Sequence, residues 1–350
     1  MSTGSDRTGS ATASETSDYD GKLDEGVLSA LPHNSRVLSV TPSGASAWGE
    51  TMRIECELED GTLKDFFMKC ATGGTNRRMM EGSFESEAIF HHYAPENIPE
   101  PIAFGHYESS PDTWFFLAQF FDMVDEVPEP GQFIPLIVKI HMRSMGESPD
   151  GKYGFHVPTH LANLPNDNSW QTTWEAFFTQ LMRKMFELEE LSHGKDERLD
   201  FLKTSLCTKV IPRLLRPLET DGRSIQPCLV HSNIWPGNMM LDVETSDVIL
   251  FDSCAFWGHN EADLGTWRAP RYKLGRPYFE EYQRAIQISE PQEDWDDRNA
   301  LYAIRYDLLV SALFPDESGL KFREMAMLEM ERLVQKYPLG YEGWKSSAVL

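Results

Sequence analysis

The side chains that could do chemistry are concentrated in two neighbouring segments. Residues 231–238 read HSNIWPGN, and residues 249–252 read ILFD. Asn238 and Asp252 offer an amide oxygen and a carboxylate, and a hard cation such as Mg²⁺ accepts both as ligands. Phosphoryl transfer from ATP is one chemistry that uses such a cation, together with a lysine near the phosphates and a group that holds the acceptor hydroxyl. A site for a hard divalent cation is therefore the first feature that these residues indicate.

A short hairpin must position these residues. The pattern predicts strands over Met239–Leu241 and Val248–Asp252, joined by a polar turn over Asp242–Asp247. The 231–238 loop enters the first strand, and Asp252 lies at the end of the second.

The part of the chain before this hairpin is rich in strand patterns. Apolar residues alternate from Met52 to Leu58, a turn follows, and Leu63–Cys70 returns as the partner strand. A helix is predicted over Phe84–Tyr93, and a second hairpin pairs residues 102–107 with 114–121. With a first strand from Arg36, the order β-β-β-α-β-β makes a small sheet with one helix against it.

Beyond Val124 the pattern is mostly helical. Helices are predicted over Trp174–Leu191, Asp297–Leu313 and Lys321–Lys336, the first of them with a capping box of Thr172 and Glu175. We therefore predict an α+β, bilobal, protein-kinase-like fold with a small antiparallel lobe and a larger helical lobe. The predicted divisions are a disordered leader over 1–22, a small lobe over 23–121 and a large lobe over 122–350.

Composition excludes several functional classes. The 350 residues carry 32 Lys and Arg against 55 Asp and Glu, a formal net charge of −23, which opposes nucleic-acid binding. No apolar run is long enough to span a membrane, and the first twenty residues lack the features of a signal peptide. The five cysteines are scattered and form no CxxC pair, which favours reduced thiols and a cytoplasmic location.

The 231–238 segment resembles the loop of the fructosamine (ketosamine) kinases, which typically reads H-G-D-x-W-x-G-N. These kinases are related to aminoglycoside phosphotransferases. Further similar segments are GFHV at 154–157, WQTTWEAFF at 170–178 and FWGHNE at 256–261, so the resemblance spans about residues 36–340 and is closest to fungal members. It implies an ATP-dependent 3-kinase that phosphorylates a sugar hydroxyl of fructosyl- or ribulosyl-lysine, either as a small molecule or on a glycated protein, in deglycation.

The resemblance also implies roles on the nucleotide side. Asn238 and Asp252 would bind Mg²⁺, and Lys69 would contact the phosphates of ATP. The turn that contains Ser43 and Gly44 would cover the phosphates with backbone N–H groups. Three residues at the end of the second hairpin would form the hinge that grips adenine, namely Gln119, Phe120 and Phe121.

Three further residues lie near the implied reaction. His231 is expected to buttress the loop rather than perform chemistry. Trp235 either packs the loop or forms a wall on which a sugar ring stacks. His259 either lies at the acceptor site or is a buried structural histidine.

Two positions depart from the family pattern. Asn233 replaces the Asp of H-G-D, and an amide accepts a hydrogen bond but takes no proton at neutral pH. In the predicted small-lobe helix, Ser83 stands where a Glu would pair with Lys69. Glu87, four residues on and therefore on the same helical face, is predicted to reach that lysine instead.

These departures leave three hypotheses open. The chain is a ketosamine kinase, a family member recruited to phosphorylate another metabolite in specialised metabolism, or a pseudokinase that binds nucleotide or partners. Nothing in the sequence indicates an oligomeric state.

Overall fold

The small lobe is a five-stranded antiparallel sheet with one helix packed against it. The computed structural model describes residues 23–44 and 46–347, so the predicted leader lies outside the described residues. The strand order is β1-β2-β3-β5-β4, and a short helix α1 (Glu25–Ala30) precedes the sheet. The strands are β1 Arg36–Pro42, β2 Glu50–Glu57, β3 Leu63–Thr72, β4 Pro101–His106 and β5 Thr113–Gln119. The predicted order of elements is confirmed.

Helix α2 (Asn76–Tyr93) begins eight residues earlier than predicted. Its first turns contain Arg77, Arg78 and Gly82, so no continuous apolar stripe indicates a helix there. Met79 and Met80 pack on the small-lobe sheet, whereas Phe90, near the other end, belongs to the core of the large lobe. Helix α2 therefore joins the two lobes.

The large lobe contains the remaining helices. The bounds are α3 Pro130–Ser144, α4 Trp174–His193, α5 Glu197–Ser205, α6 Ile211–Leu215, α7 Arg276–Ala285, α8 Trp295–Leu313, α9 Glu317–Lys336 and α10 Gly340–Ser347. The three predicted helices are confirmed with small changes in length, whereas α3, α5, α6, α7 and α10 were not predicted. Helix α4 begins at an N-cap Thr173, whose side chain accepts from the Ala176 amide, so the capping box predicted at Thr172 is wrong by one residue.

Short strands complete the large lobe. They are β6 Met123–Val124, β7 His160–Leu161, β8 Leu164–Pro165, β9 Cys228–Val230, β10 Met239–Asp242, β11 Val248–Leu250 and β12 Phe256–Gly258. The predicted hairpin is β10–β11, and β6 pairs with β10 as a third strand. The chain thus passes directly from the small-lobe sheet into the sheet that carries the candidate site.

The large-lobe core surrounds Trp174 at the start of α4. The indole Nε1 donates to the Tyr302 hydroxyl on α8 at 2.9 Å, so this buried polar atom is satisfied. Phe177, Phe178 and Phe256 pack around the same ring. Among the described residues, no helix is both long and apolar enough to cross a membrane.

Candidate active site

The open end of the β10–β11 hairpin brings Asn238 and Asp252 together. Met239 pairs with Leu250, and the Phe251 amide donates to the Asn238 carbonyl at 3.1 Å just beyond the strands. Asp252 is the next residue, and its backbone has a positive φ of 55°. The sequence prediction that these two residues flank one hairpin is confirmed.

The oxygen atoms at this position suit Mg²⁺. The Asn238 Nδ2 donates to the Asn233 carbonyl at 2.9 Å, which fixes the amide and leaves its Oδ1 without a partner among the described residues. The Asp252 side chain is 44% exposed, so its carboxylate is open to the cleft. One amide oxygen and one carboxylate, with room for waters, are a donor set that fits Mg²⁺.

Lys69 reaches this hairpin from the small lobe. It lies on β3, its side chain is only 12% exposed, and its Nζ is 3.4 Å from the Asp252 Oδ1. A cation and a carboxylate from segments 183 residues apart therefore meet between the lobes.

Glu87 does not pair with Lys69, so that prediction is wrong. Its Oε1 accepts from the amide (2.8 Å) and the hydroxyl (3.0 Å) of Ser253, the residue after Asp252. Burial raises the pKa of Glu87 to about 7. Glu87 thus connects α2 to the loop that contains Asp252. Although Ser83 stands where the family has a Glu, α2 still places a carboxylate on this side of the cleft.

His231 is a support of the loop. Its ring is fully buried, its Nδ1 accepts from the Asn233 amide at 3.3 Å, and it packs edge-on against Phe90. Burial lowers its pKa to about 4, so the ring is neutral at pH 7. The buttressing role expected from the sequence fits this geometry, and a place for His231 among residues that touch substrate does not.

Asp263 is a supporting residue that sequence reasoning did not single out. Its carboxylate accepts from the amides of His231 (2.9 Å) and Ser232 (2.6 Å) and contacts the Nε2 of His141 at 3.0 Å. Ser232 has a positive φ of 62°, so these bonds hold the loop in a conformation that a serine rarely adopts. Asp263 lies just after the family-like FWGHNE segment, which is the only sequence signal for it.

Asn233 contacts both candidate metal ligands. Its Nδ2 donates to the backbone oxygen of Asp252 at 2.9 Å and to the Asp252 Oδ2 at 3.1 Å. Its own carbonyl accepts the bond from Asn238. Asn233, which stands where the family loop has an Asp, is therefore bonded to Asp252 through its side chain and to Asn238 through its backbone carbonyl.

The residues that were predicted to cover the phosphates lie in the connection between β1 and β2. The Ser43 amide donates to the Thr51 carbonyl at 3.0 Å, and Gly44 has a φ of +73°, which glycine adopts readily. Their role in covering the phosphates stays a prediction. Ala45 lies outside the described residues.

The three hinge residues are not equivalent. The amide of Gln119 donates to the Glu100 carbonyl at 2.8 Å, and that of Phe120 donates to the Asp65 carbonyl at 3.2 Å. These two amides are therefore used inside the small lobe, and the hinge role of this backbone stays a prediction. Among the described residues, the backbone donor left in this stretch is that of Phe121.

The two predicted substrate residues differ in exposure. Trp235 is 38% exposed, packs on Tyr272 and covers Gly237, where a Cβ would lie 2.2 Å from the indole. His259 is buried and contacts the Tyr302 hydroxyl and the Ser289 hydroxyl, both at 2.9 Å. Because both ring nitrogens of His259 are occupied, its predicted substrate role is wrong and its structural role stands.

The model of the fructosamine kinase family matches residues 43–336, most of the chain. The chain belongs to the fructosamine kinase family. It is 25% identical over 267 residues to the chloroplastic protein-ribulosamine 3-kinase of Oryza sativa subsp. indica, covering 75% of this chain and 70% of the relative. It is also 37% identical over 114 residues to the ketosamine-3-kinase of Mus musculus, covering 32% and 34% of the two chains. A special similarity to fungal members of the family stays a prediction.

Solved structures agree with the bilobal kinase-like fold. A fructosamine-3-kinase candidate from Thermobifida fusca superposes with a TM-score of 0.66 at 17% identity, covering 89% of this chain and 98% of the other. An aminoglycoside phosphotransferase solved with AMP-PNP and hygromycin B gives a TM-score of 0.55 at 14% identity, covering 86% and 94%. At these identities the likeness concerns the fold alone. The α+β, bilobal prediction is confirmed.

Proposed function

We propose that this fructosamine kinase family member transfers the γ-phosphoryl group of ATP to a sugar hydroxyl of a ketosamine. The observation that carries the proposal is the meeting of Lys69, Asn238 and Asp252 between the lobes, where a phosphate chain and its cation would bind. The names of the rice and mouse relatives support ribulosamine and ketosamine adducts as acceptors.

Each residue has a physical task in this reaction. Lys69 neutralises charge on the phosphates, and the turn with Ser43 and Gly44 covers them. Mg²⁺, held by Asn238 and Asp252, would neutralise the charge that develops during transfer. Trp235, half-exposed beside the loop, offers a flat apolar wall for the acceptor sugar.

The pseudokinase hypothesis has less support than the kinase. The expected polar groups for binding Mg²⁺ and phosphate are present, and phosphoryl transfer depends mainly on positioning and electrostatics rather than on a base. Glycated lysine, free or in a protein, is the proposed acceptor. The net charge of −23 argues against nucleic acid as a partner. A cytoplasmic location remains a prediction.

The test is an assay of ADP release by the full chain with Mg·ATP and either fructosyl-lysine or ribulosyl-lysine. We expect turnover by the unmutated protein and a loss of at least about 100-fold in Asp252→Asn, because a metal ligand is removed. Asp247→Asn is the matched control, since this carboxylate lies exposed on the turn of the same hairpin. We expect its activity to equal that of the parent.

Two outcomes would contradict the proposal. Binding of Mg·ATP, seen as a higher melting temperature, without turnover of either ketosamine would favour a silent nucleotide-binding protein or another acceptor. Equal activity of Asp252→Asn and the parent would remove Asp252 from the reaction.

A further inference from the structure

Asn233 stands where the family loop has an Asp, yet its contacts are specific for an amide. Both atoms within reach of its Nδ2 are acceptors, namely the backbone oxygen and the Oδ2 of Asp252. An NH₂ group can donate to both at once, whereas a carboxylate has no proton for either. An Asp at 233 would instead place a second negative charge about 3 Å from the Asp252 carboxylate.

The contacts link both candidate metal ligands to one residue. Asp252 is held through its backbone and its carboxylate, and Asn238 is held through the Asn233 carbonyl. Asp252 also has a positive φ, which is uncommon for a non-glycine residue. A donor that bonds its backbone oxygen and side chain together fixes both the peptide and the carboxylate orientation.

The other end of the Asn233 amide is free. Its Oδ1 has no hydrogen-bond partner among the described residues, and the side chain is half-buried at the cleft. An amide oxygen accepts a hydrogen bond from a hydroxyl but does not remove its proton at neutral pH.

We infer that Asn233 is a positioning residue: its nitrogen orients Asp252 for Mg²⁺, and its oxygen aligns the acceptor hydroxyl without deprotonating it. This inference rests on the proposed kinase function. During transfer the acceptor oxygen bonds to the γ-phosphorus, and the bond from that phosphorus to the bridging oxygen of ADP breaks. ADP leaves with the electron pair, and the hydroxyl proton passes to an oxygen of the transferred phosphoryl group. A loose transition state makes this possible, because the hydroxyl needs little prior deprotonation.

The first arm of the test needs no turnover. The melting temperature of the full chain is followed during Mg²⁺ titrations at fixed AMP-PNP. Asn233→Asp and Asn233→Ala are each expected to raise the Mg²⁺ concentration for half-maximal stabilisation about tenfold, since a charge-assisted hydrogen bond to the ligand is lost. Gln335→Glu, the same amide-to-carboxylate change at an exposed site on α9, is expected to have no effect.

The second arm is the pH profile of kcat for the unmutated protein with fructosyl-lysine. We expect no fall of unit slope between pH 8 and pH 6 that persists in Glu87→Gln, because no base at position 233 titrates. The Glu87→Gln comparison is needed because the buried Glu87 carboxyl, which is bonded to Ser253 beside Asp252, has a pKa of about 7 and titrates in the same range. A fall that is present in both proteins would overturn the inference.

The inference is also overturned if Asn233→Asp binds Mg²⁺ as well as the parent and phosphorylates faster, which is the behaviour of a restored base. An unchanged Mg²⁺ requirement in Asn233→Ala contradicts it as well. If no ketosamine is phosphorylated by any variant, the proposed function fails, whereas the Mg²⁺ titration still decides whether Asn233 positions Asp252.

Discussion

At the scale of residues, several side chains of the motif are buried and make their contacts inside the fold instead of facing the cleft. His231 and His259 look like reactive imidazoles in the sequence, but both are buried and neutral. Trp235 keeps an exposed ring, and Asp252 keeps an exposed carboxylate. The residues that face the cleft are therefore fewer than the motif suggests.

The buried histidines make stability depend on pH. Burial lowers the pKa of His259 from 6.5 to about 4, so the unfolded chain binds a proton there over a range in which the folded chain does not. Acid therefore favours unfolding, and the free energy of unfolding should fall as pH decreases from about 6.5 to 4. One such group accounts for at most about 3 kcal/mol.

We expect His259→Gln to have a smaller dependence of stability on pH than the parent, because one of these groups is gone. The measurement is urea denaturation at pH 7.5, 6 and 5. His92→Gln, which changes an exposed histidine near the end of α2, should keep the parental dependence. An identical slope in His259→Gln would show that His259 does not resist protonation in the folded state.

At the scale of elements, α2 has the most constrained position. Gly82 on this helix lies against the segment that leads into β7, and a Cβ there would be 2.5 Å from the Pro158 carbonyl oxygen. The segment and the helix also contact each other through His156 and Glu85 at 2.9 Å. Helix α2 is thus seated closely on the large lobe, with Glu87 bonded to Ser253 on the site side.

We expect Gly82→Ala to lower the free energy of unfolding by about 1–3 kcal/mol, because the added methyl pushes the helix off its neighbour. Intrinsic propensity alone predicts the opposite sign, since Ala favours a helix by about 1 kcal/mol over Gly. Gly131→Ala in α3, where no atom lies within 4 Å of the new Cβ, should be neutral or slightly stabilising. Urea denaturation of the parent and of both variants measures these free energies of unfolding. Equal stability of the two variants would contradict the close packing of α2 on the large lobe.

At the scale of the whole molecule, α2 joins the lobes because it packs on one face of the small-lobe sheet and also enters the core of the large lobe. The small-lobe sheet encloses its own apolar cluster, and the large lobe encloses a bigger one. Phe90 extends from α2 into the large core and touches the ring of His231. One contact, that of Phe90 with His231, therefore supports both the position of α2 and the 231–238 loop.

We expect Phe90→Ala to lower the free energy of unfolding by about 3–5 kcal/mol and to weaken Mg·AMP-PNP binding, because the cavity loosens α2 and the loop together. Phe201→Ala removes an equally large ring from the surface of α5 and should change stability by no more than about 0.5 kcal/mol. Urea denaturation and thermal shift measure the two effects. Unchanged nucleotide binding in a destabilised Phe90→Ala would contradict the link between core and site.

The sequence by itself determined the order of the small-lobe elements and the hairpin that carries the predicted site residues. Periodicity gave the strands of the small lobe and three large-lobe helices, since each side-chain pattern follows from a local backbone period. It also placed Asn238 and Asp252 at the same hairpin, because both adjoin paired strands. Helix α3 escaped prediction, and it carries Pro135 in its interior.

Only the tertiary structure decided which partners these residues have. Lys69 and Asp252 are 183 positions apart, and Glu87 and Ser253 are 166 apart. Three sets of contacts depend on how segments distant in sequence pack. They are the bonds of Glu87 to Ser253, those of both ring nitrogens of His259, and those of the Asn233 amide. No local period encodes such packing, because burial and hydrogen-bond geometry are set by the whole fold. Thus the sequence alone indicated a missing base at position 233, and the folded chain shows an amide bonded to the Asp252 carboxylate.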